Sequence, residues 1–172
     1  ASEIVFEAKR YGYTVILLDT LEDEGNESEC INTLLTRSID GIILVPCGER
    51  PESLEKIDEQ TPIVLIDRYF EDTSLSYICT DNYRGALDGV KLLIENGHKE
   101  ILCIRGVPHS MPSKERVKGY IDALRESGFD TRSRIAGNDY SITNGYLETK
   151  LAIGSPARPT AIFALSNTIM LG

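Results

Sequence analysis

Apolar residues recur along the chain in two alternating rhythms. Over residues 3–11, Ile4, Ala8 and Tyr11 fall on one helical stripe with charges between them, and Gly12 supplies a stop. Residues 14–18 form a continuous β-prone run closed by Asp19. Asn26 is the expected cap of a second helix, in which Ile31, Leu34 and Leu35 share one face. Asp40-Gly41 then turns into a strand over 42–45, which Pro46 breaks. A short helix with proline in its first turn is expected over 51–57, and a strand over 62–66 ends at Asp67-Arg68.

Residues 77–80 read as another short strand. Asp81 or Asn82 caps a helix carrying Ala86, Val90, Leu93 and Ile94, which stops at Asn96-Gly97. A strand over 101–104 closes at Gly106. Ser113 is the expected cap of a helix with Val117, Tyr120, Ile121 and Leu124, ended by Ser127-Gly128. A weak strand over 134–136, a helix over 142–153, a strand over 160–165 and a helix opened by Asn167 complete the pattern. The strands are unbroken apolar runs, the signature of parallel strands covered on both faces. Their interleaving with helices predicts a doubly wound α/β architecture with parallel sheets. The best internal boundary is Asn96-Gly97-His98, which gives α/β units over 1–97 and 98–172. A chain that opens in a helix and stops one turn into another reads as a piece of a larger fold.

Composition narrows the function. With 172 residues, 41% hydrophobic and 26% charged, the chain has material for a real core and does not read as disordered. No apolar run approaches the ~20 residues that cross a bilayer, and no basic-then-apolar leader opens the chain. No membrane partner is expected. Eighteen basic against 27 acidic side chains give a net charge of −9, so this chain by itself is not expected to hold nucleic acid.

Cys30, Cys47, Cys79 and Cys103 form no C-x-x-C pair, and His98 and His109 form no H-x-x-x-H, so no metal site is expected. Cys79 and Cys103 lie in apolar runs, where thiols pack as small hydrophobes; reduced cysteines and a cytoplasmic location follow. No G-x-G-x-x-G, G-x-x-x-x-G-K-[ST] or G-x-S-x-G occurs, so no cofactor is expected. The acidic cluster Glu22-Asp23-Glu24 with Glu27 and Glu29 lacks a calcium-loop pattern. His98 has no nucleophile near it in sequence, and no catalytic constellation emerges. The chain does not read as an enzyme.

Ligands of open parallel sheets bind outside the carboxyl ends of the strands. The residues landing there include Asp19, Pro46-Cys47-Gly48, Asp67-Arg68, Asp81, Gly106 and Ser166-Asn167. Arg116 follows closely in the helix after the Gly106 loop, and Tyr140 sits in the loop after the weak strand. Asp67 accepts, Arg68 and Arg116 offer planar forks of donors, and Tyr140 offers an aromatic face: the chemistry that holds a polyhydroxylated ring. Neighbours on an extended strand point to opposite faces, so Asp67 and Arg68 share a site only if the strand has already ended.

Six motifs in order resemble the lactose-repressor/galactose-repressor family of bacterial transcription regulators. They are Asp40-Gly41-Ile42-Ile43-Leu44, Pro62-Ile63-Val64-Leu65-Ile66-Asp67-Arg68, Asp81-Asn82 with Gly85, Gly97-His98-Lys99-Glu100-Ile101, Arg116-Val117-Lys118-Gly119-Tyr120 and Arg158-Pro159-Thr160-Ala161-Ile162-Phe163-Ala164. The resemblance implies a type I periplasmic-binding-protein-like sensor: two α/β lobes, a small-molecule effector in the cleft between them, and a homodimer. It also implies operator DNA contacts made only through an N-terminal helix-turn-helix that this sequence lacks. By the same pattern the first strand of the first lobe and the end of the second lobe are missing.

Carried over residue by residue, the family pattern puts Asp67 and Arg68 on the first-lobe wall and Arg116 on the second. Tyr140 is the aromatic packed on the ligand, and Ser166 the polar position after the last complete strand. Family members often carry Asn-Asp before the final helix; here the pair is Ser166-Asn167. The function implied is sensing of an effector, a sugar or related metabolite. The alternative sharing this fold is a periplasmic sugar-binding protein of a transport system.

Overall fold

The computed structural model describes residues 2–48, 50–129 and 134–172. Two three-stranded parallel sheets organise the chain. The first joins β1 (Ile42–Leu44), β2 (Ile63–Ile66) and β3 (Ser76–Ile78) in that order, with Ile42 opposite Ile63 and Ile66 opposite Ile78. The second has β4 (Ile101–Ile104) at its centre, flanked by β5 (Ile135–Ala136) and β6 (Ala161–Ala164). Helices α1 (Ser2–Arg10), α2 (Glu24–Leu35), α3 (Glu52–Asp58), α4 (Asn82–Glu95), α5 (Met111–Glu126), α6 (Ile142–Gly154) and α7 (Asn167–Met170) alternate with them. The expected parallel α/β architecture is present.

The two sheets are clothed differently. β4 is buried along its whole length, as an unbroken apolar run requires. In β1, Ile42 and Leu44 are buried but Ile43 is 53% exposed, and no residue of β3 is buried. The first core therefore lies on one face, where Ile31, Leu54, Phe70 and Leu75 meet Ile42, Leu44, Ile63 and Leu65. On the other face α1 has no buried residue. A cavity of about 760 Å³ is lined there by Ile4, Ala8, Val15, Leu17, Ile43 and Val64. This accounts for the one expected strand that does not form: residues 14–18 pair with no strand among the described residues, and Leu17 is 74% exposed. A β-prone run becomes a strand only when an edge takes up its N–H and C=O groups.

Two helix starts also differ from expectation. α2 is capped by Asp23, not Asn26: the extended Asp23 accepts from the Asn26 N–H at 2.8 Å. α5 begins with Ser110 at its N-cap and Pro112 in its first turn, so Ser113 lies inside the helix, almost wholly buried.

The second core also takes in residues of α4. The boundary expected at Gly97 assigns α4 to the first unit, yet Leu87 and Val90 are buried with Ile101, Cys103, Tyr120 and Ala123 of the second. α4 and α5 pack closely because position 119 is glycine. A Cβ there would run into the Tyr83 carbonyl oxygen and would come to 2.9 Å from Leu87 N. The Tyr120 hydroxyl donates to the Ile101 carbonyl at 2.8 Å, tying α5 to the central strand.

Candidate ligand-binding site

The strand β2 ends at Ile66, and the chain turns at once. Asp67 has φ of 65°, the left-handed conformation that non-glycine residues adopt at a local cost. Its N–H donates to the Ile78 carbonyl at 2.9 Å, and the next N–H, of Arg68, reaches back to Ile66 O at 2.7 Å. The chain thus turns immediately after Ile66, and the strand alternation that would separate Asp67 from Arg68 has lapsed. Asp67 is exposed, whereas Arg68 is half-buried and donates through Nη2 to Glu22 at 3.1 Å. That ion pair keeps the Arg68 guanidinium within the first unit.

Behind this turn lies a cluster at the carboxyl end of β1. The buried Glu27 carboxylate accepts from Cys47 N at 2.7 Å, and Thr20 Oγ1 lies 3.2 Å from Cys47 Sγ. Burial pushes the Glu27 carboxyl and the Cys47 thiol above their ordinary values.

Arg116 is held from two sides. Its Nε donates to Asn82 Oδ1 at 2.8 Å, and Nη1 donates to the Leu165 carbonyl. The first contact links α5 to the start of α4, and the second links it to the residue before Ser166. Ser166 Oγ caps α7, accepting from Ile169 N at 3.2 Å, and lies 3.0 Å from Thr168 Oγ1. The structure therefore brings Arg116 and Ser166 together at the end of β6.

A second pair of contacts joins the two units. Tyr69, two residues beyond Asp67, donates its hydroxyl to Glu115 at 2.7 Å, beside Arg116. Lys114 Nζ stands 3.6 Å from Glu71, an exposed and weaker pair. The Tyr69 ring stacks on Tyr77 with centroids 4.3 Å apart and planes 4° from parallel. Burial, then the Glu115 carboxylate, pushes the Tyr69 phenol well above its ordinary value. Burial followed by the carboxylates of Glu115, Asp67 and Asp81 likewise raises the Cys79 thiol.

Tyr140 stands elsewhere on the same end of the second sheet. Its ring packs against Gly106, where any Cβ would collide with it, and its hydroxyl lies 3.4 Å from Ser110 Oγ at the start of α5. The loop carrying it is built by Asn144, whose Nδ2 donates to Arg105 O at 3.2 Å and to Asp139 O at 2.6 Å. The Asp139 carboxyl is lowered by its hydrogen bonds from Ser141.

Sequence reasoning missed Tyr69, Asn82 and Glu115. Asn82 carried a signal, since a buried amide at a helix start demands partners. Tyr69 and Glu115 carried none, because only the fold brings them together.

The chain is 33% identical over 170 residues to the HTH-type transcriptional repressor CytR of Escherichia coli, covering 96% of this chain and 49% of that protein. It is 30% identical over 168 residues to the catabolite control protein A of Priestia megaterium, covering 96% of this chain and 51% of that protein. The chain thus spans about half the length of these curated relatives. A crystal structure of a LacI-family sugar-binding transcriptional regulator from Escherichia coli, complexed with phosphate, superposes with a TM-score of 0.80 at 26% identity. That match covers 98% of this chain and 63% of that one. A family model described as periplasmic binding proteins and the sugar binding domain of the LacI family matches residues 2–172, and the chain belongs to that family.

Proposed function

We propose that the chain is the effector-sensing part of a ligand-responsive bacterial transcription regulator. The effector is a small polar metabolite, a sugar or a related compound. What supports this reading is the Tyr69–Glu115 hydrogen bond, which joins the turn carrying Asp67 and Arg68 to the helix carrying Arg116, at the carboxyl ends of parallel strands. The repressor names of the relatives favour a regulator over a transport protein. Tyr140 contributes the aromatic wall. The assembly is a homodimer in the cytoplasm, and it reaches operator DNA through a segment outside this sequence.

The two lobes divide ahead of α4 rather than at Gly97, a division supported by the burial of Leu87 and Val90 in the second core. An effector that bridges Asp67 and Arg116 binds one relative placement of the lobes more tightly than another. That difference shifts their populations and is the only free energy available to alter DNA affinity. Arg116 already has two protein partners. The effector therefore meets a positioned guanidinium whose orientation has been fixed in advance.

The test is a thermal-shift screen of the full-length protein against hexoses, pentoses and purine nucleosides, followed by operator retardation with each hit. A ligand that raises the melting temperature and changes operator affinity is expected. Ligands that stabilise the protein and leave DNA binding untouched would favour a carrier instead.

A further inference from the structure

We infer that the outer groove of α5 is a second ligand site, distinct from the interlobe cleft, which takes the phosphoryl group of a small soluble phosphate ester. The groove has a volume of about 400 Å³ and is lined by Arg105, Lys114, Lys118 and Arg125, with Asp122 the one carboxylate among its walls. Four cations around one acid stand out on a chain of net charge −9. None of Asp67, Arg68, Arg116, Tyr140 and Ser166 lines it.

The cations are poorly neutralised from within. Among the described residues, Arg125 pairs with Asp122 at 2.7 Å, and Lys114 reaches only the exposed Glu71 at 3.6 Å. Lys118 makes no ion pair among the described residues; its Nζ sits 5.4 Å from the Tyr83 ring centroid. Arg105 donates through Nε to the Gly137 carbonyl at 3.1 Å, which fixes the guanidinium plane.

The independent observation is Ser113, which also lines the groove. The residue is 1% exposed, and its Oγ has no hydrogen-bond partner among the described residues. Buried hydroxyls are ordinarily satisfied, so this one needs an acceptor. It lies in the first turn of a 16-residue helix whose N-cap, Ser110, makes no side-chain capping bond. The helix end thus presents partial positive charge beside Lys114. A phosphoryl oxygen seated there would supply the acceptor Ser113 lacks and the negative charge its neighbours lack. The partly buried Val117 and Ile121 run from that point toward Arg125 and offer an apolar bed for the rest of the molecule.

The experiment is calorimetric titration of the full-length protein at low ionic strength, with inorganic phosphate and pyrophosphate as probes. Both should bind, and Lys118→Gln should weaken pyrophosphate by about tenfold, the scale of one charge-assisted hydrogen bond. Ser113→Ala removes only the orphan hydroxyl. It should retain the wild-type melting temperature without phosphate, and should weaken pyrophosphate by about threefold. At equal folded fraction, Arg116→Lys should leave pyrophosphate affinity unchanged. The inference is overturned by no binding of either probe, or by binding that Lys118→Gln leaves intact. Binding lost in Arg116→Lys would also overturn it, by moving the anion into the cleft.

Discussion

The Tyr69 hydroxyl donates to the Glu115 carboxylate at 2.7 Å, joining the turn that follows β2 to the helix that carries Arg116. Tyr69 packs against the first core and Glu115 stands on α5, so this single bond spans the two lobes. Tyr69→Phe keeps the ring and its stacking on Tyr77 while deleting the bond. We expect a loss of about 1 kcal/mol in urea denaturation, because the half-buried Glu115 can recover water. Glu115→Ala on its own, and both changes together, complete a double-mutant cycle. Additive losses would show that the contact is not an energetic link.

Close packing of α4 on α5 gives a sharper expectation. In Gly119→Ala the new Cβ meets backbone, the Tyr83 carbonyl, which cannot swing aside as a side chain can. Overpacking of this kind costs about 1–3 kcal/mol, and the urea midpoint should fall accordingly. An unchanged midpoint would mean that α4 and α5 separate freely.

Alkaline pH should weaken the second lobe in a definite window. Burial pushes the Cys103 thiol up to about 12 and the Tyr120 phenol up to about 12, from ordinary values of 9.0 and 10.0. The native state therefore keeps these protons after the unfolded chain has released them. Stability is fully present below pH ~9 and falls as pH rises through the folded values. Urea midpoints measured from pH 8 to pH 10.5 should decline, and more shallowly in Tyr120→Phe. Equal slopes in the two proteins would remove Tyr120 as a source.

All four cysteines are free thiols in the structure, and Cys103 is wholly buried. Native alkylation followed by mass measurement should modify the half-buried Cys30, Cys47 and Cys79 well before Cys103. Any pair that resists alkylation until a reductant is added would contradict this.

Much of this molecule is legible in its residues, and the exceptions share a cause. β2 and β4 were readable because Ile63–Ile66 and Ile101–Ile104 are runs of β-prone residues closed by turns. Residues 14–18 have the same pattern but no paired edge, and pattern alone cannot supply a partner. Ser113 and Ser110 are equally good caps in sequence; Pro112 between them suits a first turn, which selects Ser110. Arg116 could be singled out from its place after the Gly106 loop. Its bonds to Asn82 and to the Leu165 carbonyl, 34 and 49 residues away, depend on tertiary packing that no local signal encodes.

Those bonds determine what Arg116→Lys should do. An ammonium cannot reproduce two divergent planar donors, so the unliganded protein should itself lose about 1–3 kcal/mol, as well as affinity for effector. The most direct test of the central claim is effector-dependent operator binding, followed by fluorescence anisotropy, in wild-type and folded Arg116→Lys full-length protein. At equal folded fraction, the effector concentration for the half-maximal change should rise by about tenfold or more in the variant, with unliganded operator affinity unchanged. Superimposable effector curves would contradict the placement of the effector against Arg116 in the interlobe cleft.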